Sequence, residues 1–370
     1  MTEAQALALS DHPYVKRVEE NAVLRLDASN PQTGLLTPTY GNNSLWGLDR
    51  VDQKGPGAPR VDSEYAWCAD GAPVWIYVMD TGVNPSHTVE FGSRVDTAPD
   101  FDAYLQSVGQ AMGDPAECWD TSLRDDARCG HGTAVASIAA GDTFGVAKTA
   151  RIVDLRTSDP IWGMPLSRLL AALEFLNTQD QRTGDKVLNI SSSSLTTWDS
   201  REHTVKELIG QLTDGAKNFK VVLSAGNDDS DAWWYVPASA ERAITVGAIN
   251  KDSDTKWSAS NWGATVDFWA PGQFVESASP LLPPWVDPWR YRSQSYTCND
   301  SGYVDTCTSG TSFAAPHVSG IVARYLHRHP GARRDDVLSA LESISATYSG
   351  ATVTDRTAVT RRVAVFNECP

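Results

Sequence analysis

From Trp46 onward the chain alternates short apolar runs with amphipathic stretches. The runs are Val74 to Met79, Ile152 to Leu155, Val187 to Ile190, Val221 to Ala225 and Ile244 to Val246, all rich in Val, Ile and Leu. Runs apolar on both faces suit strands of a parallel sheet covered by helices. Helical periodicity marks Leu166 to Leu176, Arg201 to Lys217, Ser312 to His329 and Arg334 to Ser345. The alternation predicts an α/β fold, a mostly parallel twisted sheet flanked by helices in three layers and wound through right-handed crossovers. Two stretches interrupt it, Ala98 to Arg128 and Ser277 to Thr306, and both read as loop insertions. The second carries four Pro together with Trp285, Trp289, Tyr291, Tyr296 and Tyr303. Ahead of this region, Thr2 to Ser10 reads as a short helix with capping-box spacing between Thr2 and Gln5. Val15 to Leu26 reads as one or two edge strands, and the polar segment Asp27 to Asn43 as a linker.

Composition narrows the function classes. The 370 residues carry 31 Lys and Arg against 46 Asp and Glu, a formal net charge of -15. A nucleic-acid partner is excluded by that balance, because Lys and Arg supply most phosphate neutralisation. No apolar run approaches the length of a membrane span, so neither a membrane partner nor an anchor is expected. Six Cys without a CxxC pair point to disulfides and an oxidising compartment rather than to a zinc cage.

Open parallel sheets present reactive groups at the carboxyl ends of their strands. The first apolar run ends in Asp80, within Asp80-Thr81-Gly82, where a carboxylate can fix the tautomer of an imidazole and stabilise its protonated form. A second Asp-Thr-Gly or Asp-Ser-Gly is absent, so a carboxylate dyad is not formed. Gly130-His131-Gly132-Thr133 flanks a His with glycines and runs into a small-residue helix. His87, His203, His317, His327 and His329 lack such a setting and read as structural or solvated. Gly310-Thr311-Ser312 opens a helix at Ser312, where backbone N–H groups and the helix dipole favour an oxyanion. Ala314 replaces the second Gly of the G-x-S-x-G elbow, which speaks against an α/β-hydrolase. Ser224-Ala225-Gly226-Asn227 ends another run, and an Asn amide there can donate to a tetrahedral oxyanion.

In the chain order Asp80, His131, Asn227, Ser312, these segments resemble the subtilisin-like serine peptidases, the subtilase family (peptidase S8). The resemblance covers about Trp46 to Asn367, with Val363 to Asn367 resembling the strand that closes such domains. It implies a serine endopeptidase that needs no cofactor for its chemistry, with Ser312 as nucleophile, His131 as general base, Asp80 orienting the His, and Asn227 in the oxyanion hole. Polypeptides are the implied substrates. Ser191, Ser192 and Ser193 stand where the family pairs with extended substrate, and Gly163 is a further expected substrate-binding residue; Ser193 and Ser194 replace residues that are often glycine. Residues 1–38 resemble the end of an inhibitory propeptide plus linker, and 39–370 the catalytic domain. The chain is therefore expected to be a secreted, extracellular zymogen and a monomer, inhibited by its own propeptide and cut between Asn30 and Asn42, with the propeptide's front half and a signal peptide upstream of residue 1. Asp267 resembles a ligand of a structural calcium ion, completed by backbone carbonyls near Glu241 and Ala243.

The cysteines admit 15 pairings. Cys118 with Cys129 and Cys298 with Cys307 are close in sequence and precede His131 and Ser312, so each is expected to close a local loop, leaving Cys68 with Cys369. A free thiol at Cys129 is the alternative. A subtilase fold that binds without cleaving, and a carbohydrate-binding module drawing on the many Trp, are the rival functions.

Overall fold

The structure, a computed structural model, describes residues 15, 23–26, 45–52, 60–61, 65–67, 69–111, 130–159, 163–195, 204–278, 305–348 and 351–366. The expected helix Thr2 to Ser10, the linker, most of Ser277 to Thr306 and the cysteine pairings lie outside them.

In chain order the elements are β1 (Val23–Leu26), α1 (Trp46–Val51), β2 (Trp75–Asp80), α2 (Thr88–Phe91), β3 (Val95–Asp96), α3 (Pro99–Ser107), α4 (His131–Ala140), β4 (Arg151–Arg156), β5 (Met164–Pro165), α5 (Leu166–Thr178), β6 (Lys186–Ile190), β7 (Ser192–Leu195), α6 (Thr204–Asp214), β8 (Phe219–Ser224), β9 (Tyr235–Val236), β10 (Ile244–Ile249), β11 (Phe268–Pro271), β12 (Val275–Ala278), β13 (Asp305–Thr308), α7 (Thr311–Arg328), α8 (Arg334–Tyr348), β14 (Thr352–Thr354) and β15 (Thr360–Val363). Among the described residues no helix is long and apolar enough to cross a membrane.

Nine strands form the main sheet in the order β14-β15-β11-β10-β8-β6-β2-β4-β3. Every pair is parallel except β14 with β15. Alternate side chains of each strand serve opposite faces. Ile76 and Val78 of β2 pack with α4, α7 and α8 through Val135, Val318, Ile321 and Leu341. Tyr77 and Met79 pack on the other face with α3, α5 and α6 through Phe101, Leu169, Leu173 and Ile209. Both faces are therefore covered, which is why these strands read as continuous apolar runs.

The winding direction reverses at β2: the chain goes outward to β3 and β4, then crosses to β6 on the other side of β2 and continues to β8, β10 and β11. A crevice opens at such a reversal, outside the carboxyl ends of β2 and β6. A second, antiparallel sheet of order β5-β1-β7-β9 lies at that end, and β12 with β13 forms an antiparallel ribbon ahead of α7.

Two expectations need correction. The stretch after Ala98 is not all loop, because α3 forms within it. Pro99 occupies its first turn, where a missing N–H costs nothing. Phe101 and Leu105, four residues apart, are buried, and the Phe101 ring lies 5.1 Å from that of Phe175. A single helical turn of apolar residues between Asp and Gln is too short a period to stand out in sequence. The closing strand is β15, Thr360–Val363, rather than Val363 to Asn367; it pairs in parallel with β11, and Ala364 N–H extends the pairing to the Trp269 carbonyl at 2.8 Å. Its polar Thr and Arg residues hide it from a search for apolar runs.

Helix α7 packs against α4 and the segment after it at Gly320, which leaves no room for a side chain. A Cβ on Gly320 would stand 2.6 Å from Val146 Cβ and 2.7 Å from the Ala139 carbonyl oxygen. Gly320→Ala is expected to lower unfolding stability by about 1–3 kcal/mol despite its better helix propensity, read as a lower urea midpoint with unchanged slope.

Candidate active site

Asp80 is the last residue of β2 and is fully buried. Its Oδ1 accepts the Thr81 N–H at 2.7 Å. His131 Nδ1 lies 2.8 Å from Oδ1 and 3.0 Å from Oδ2 of the same carboxylate. A carboxylate only accepts, so Nδ1 carries the proton and a neutral ring holds its lone pair on Nε2. That Nε2 is buried and has no hydrogen-bond partner among the described residues. His131 is the first residue of α4, and the glycine after it lets the helix approach the Asp80 turn: a Cβ on Gly132 would stand 2.5 Å from the Gly82 carbonyl oxygen. Gly132 N–H donates to Thr81 Oγ1 at 3.0 Å and locks the approach.

Ser312 is the second residue of α7 and fully buried. Two reciprocal bonds tie it to the end of β6: Ser312 Oγ donates to the Ser191 carbonyl at 3.0 Å, and Ser191 Oγ donates to the Ser312 carbonyl at 3.0 Å. Behind them Asn189 donates to Ser191 Oγ at 2.9 Å and accepts from Ser319 Oγ at 2.9 Å. The His131 ring stands 5.5 Å from the ring of Phe313, the neighbour of Ser312.

Asn227 follows β8. Its side-chain carbonyl accepts both the N–H and the hydroxyl of Thr311, each at 2.9 Å. Because a backbone N–H must meet an acceptor, this clamp fixes the amide orientation and turns its NH2 away from Thr311. Thr311 Oγ1 also accepts the Gly226 N–H at 3.1 Å. From the other side, Asn261 donates to the Ala225 carbonyl at 2.9 Å and accepts from the N–H groups of Asp228 and Ser230 at 2.9 and 3.0 Å.

The proposed substrate segments flank β1. Its register sets Val23 against Pro165 and Leu24 against Met164 on one side, and Arg25 against Ser193 and Leu26 against Ser192 on the other. Gly163 has φ +75°, and a Cβ there would come within 2.4 Å of the Leu24 carbonyl oxygen, so glycine permits this close approach. Ser192 Oγ is buried and has no partner among the described residues.

Of the residues expected from sequence, Asp80 and His131 bond directly, and Asn227 is clamped to Thr311, the neighbour of Ser312; Asn189, Thr311 and Asn261, which hold them, were not among those expectations. Asn189 was visible as the one polar residue inside an apolar run; Asn261 had no sequence signal. His317 is structural, as expected: it is buried, its Nδ1 donates to the Phe313 carbonyl at 2.7 Å, and burial depresses its pKa to about 4.

The calcium expectation fails on geometry. Asp267 Oδ2 accepts the Thr245 N–H at 2.8 Å, and the carbonyls of Glu241 and Ala243 accept from Arg334 Nη2 at 3.3 and 2.7 Å. Burial raises the Asp267 pKa to about 6, against the pull of the Thr245 N–H and of Arg334. A guanidinium fills the place that oxygen ligands would offer a metal, so these residues do not fit a calcium ion. Among the described residues no group of three or more His, Cys, Asp or Glu is arranged to hold a metal.

One further carboxyl lies near Asp80. Asp154 pairs in register with Val78, which puts its side chain on the face of the sheet that Asp80 serves. It is buried, and Oδ1 has no partner among the described residues. Burial raises its pKa to about 7; the Val83 N–H and Arg156 act against the rise, and Asp102 and Asp80 add to it. The unfolded value is about 3.9. The folded state therefore favours the protonated acid, and the stability this confers is complete below about pH 4 and lost as pH rises toward 7. Asp154→Asn mimics the protonated acid. It is expected to match wild type near pH 4 and to exceed it by up to a few kcal/mol at pH 8, measured by urea unfolding at both pH values; an equal gap at both would contradict the assignment.

Residues 71–361 match the Peptidase_S8 subtilase family. The chain is 30% identical over 339 residues to "Alkaline serine exoprotease A" of Vibrio alginolyticus, covering 92% of this chain and 53% of that protein. It is 33% identical over 298 residues to "Extracellular serine proteinase" of Thermus sp. (strain Rt41A), covering 80% and 60%. The chain thus spans about half to three fifths of the length of these two relatives. Among solved structures it is similar to a cold adapted subtilisin-like serine proteinase, with a TM-score of 0.64, 30% identity, and coverage of 88% of this chain and 98% of that one. The family match over most of the chain and the similarity to a subtilisin-like structure show that this chain belongs to the subtilase family.

Proposed function

We propose that the chain is a secreted serine endopeptidase, made as a zymogen, that hydrolyses peptide bonds through an acyl-enzyme. The observation that carries this reading is His131, with Nδ1 bound to buried Asp80 and a lone-pair nitrogen left unoccupied beside the start of α7. In this proposal Ser312 Oγ leaves the Ser191 carbonyl by one rotamer change and gives its proton to His131 Nε2 as it attacks the scissile carbonyl. The bond to the leaving amine then breaks as His131 returns the proton, and water repeats the cycle to release the acid. Asn227 NH2 and the Ser312 N–H donate to the oxyanion; the Thr311 clamp prepays the orientation of the amide.

Vacating the Ser191 carbonyl frees an acceptor for the backbone N–H of the substrate. The antiparallel pairing of β1 with β5 and β7 supports two parts of the reading together. It illustrates how an extended peptide adds a strand between Gly163 to Pro165 and Ser192 to Leu195. It also supports residues 1–38 as the end of an inhibitory propeptide, because β1 already fills the groove a substrate needs and Leu26 stands opposite Ser192, next to Ser191. Residues 39–370 are then the catalytic domain, a monomer acting on polypeptides in the extracellular space. The hydroxyls of Ser192 and Ser193 give the groove a polar wall.

A fluorophosphonate probe is expected to label the wild-type chain and not Ser312→Ala; labelling that persists in the variant overturns the nucleophile. Asn227→Ala is expected to lower kcat about 100–1,000-fold with little change in KM, a magnitude known from the corresponding donor of subtilisin itself.

A further inference from the structure

The carbonyls of Glu241 and Ala243 lead into β10, and Asp267 leads into β11, to which β10 is paired. Thr245 and Asp267 are cross-linked twice, since each backbone N–H bonds to an oxygen of the other residue at 2.8 Å. Two main-chain oxygens here share one donor, and the partly buried Asp267 carboxylate lies within the electrostatic reach of the same cation; such oxygens need a positive partner, because a partly buried carboxylate and unpaired carbonyls are costly. Arg334, the first residue of α8, supplies it. The residue is buried; Nη2 forks to both carbonyls, and Nη1 donates to Asp335 Oδ1 at 3.0 Å. Asp335 in turn accepts from Arg242 at 3.1 Å, and Arg242 also pairs with Asp214. The guanidinium thus connects the entry of β10 to α8 and, through Asp335 and Arg242, to the end of α6.

We propose that Arg334 is the resident cation of this cage: it holds the starts of β10 and α8 together, excludes divalent metal, and covers a latent oxygen site that would accept a hard cation such as calcium once the side chain is removed. The exclusion follows from space and charge. Calcium requires oxygens at about 2.3–2.6 Å, whereas the Ala243 carbonyl is already engaged by an N–H donor at 2.7 Å, and a divalent ion beside a guanidinium would be repelled.

Thermal unfolding of the full chain, carrying Ser312→Ala to prevent self-digestion, tests this in calcium against EDTA. The starting chain and its Asp267→Asn variant are expected to show the same calcium-dependent shift in Tm, whatever sites elsewhere contribute. Arg334→Ala is expected to melt lower in EDTA and to gain an additional 2–4 °C or so in calcium, a gain that Asp267→Asn abolishes in the double variant. The proposal is overturned if Asp267→Asn removes calcium stabilisation from the chain that retains Arg334, or if Arg334→Ala gains nothing from calcium. The comparison at Asp267 leaves Arg334 in place, so it remains decisive even where Arg334→Ala fails to fold.

Discussion

The hydrogen bond between Asp80 and His131 sets what the surrounding structure has to do. A fully buried carboxylate is tolerated only when donors meet it, and Asp80 meets two, the Thr81 N–H and His131 Nδ1. To bring an imidazole to a strand end, a helix must begin there, almost in contact with the turn that follows the strand. Gly132 and Gly82 make that contact possible, and the small residues of α4 let the helix lie flat against β2. The cost of enclosing Asp80 is therefore met by the same bond that aims Nε2 into the crevice.

Helix α7 supplies the other half. It lies on the face of the sheet that Ile76 and Val78 serve, and its first turn carries Thr311 and Ser312 while its third carries Ser319. Thr311 fixes Asn227, Ser312 exchanges bonds with Ser191, and Ser319 reaches Asn189. One rigid helix thereby ties together two strand ends, β6 and β8, through its side chains. The crevice is located by topology, at the reversal of winding, and its chemistry by this helix.

Much of this was legible in the chain. Parallel central strands announce themselves because both faces are apolar, and Asp80, His131 and Ser312 stand out because glycines and strand or helix ends surround them. The supporting residues were harder to see. Asn261 acts through three bonds that exist only after distant segments meet, and nothing in its neighbours marks it; Thr311 lies in a conspicuous segment, but its clamp on Asn227 exists only in the fold. Helix α3 escaped because two buried residues, Phe101 and Leu105, do not make a period. Arg334 was invisible for a related reason. Asp267 and the carbonyls of Glu241 and Ala243 suggest a metal only through the resemblance to the family, and the cation that answers the carbonyls comes from the start of α8, far along the chain.

The central claim is that Asp80 holds the proton of His131 on Nδ1 and keeps Nε2 as the basic nitrogen. Proton and nitrogen NMR of selectively labelled His131 in the Ser312→Ala chain reads this directly. The expected result is a protonated Nδ1 with its proton shifted far downfield, a bare Nε2 in the neutral ring, and loss of the downfield signal in Asp80→Ala. A neutral ring protonated on Nε2, or a downfield proton that survives without Asp80, would contradict it.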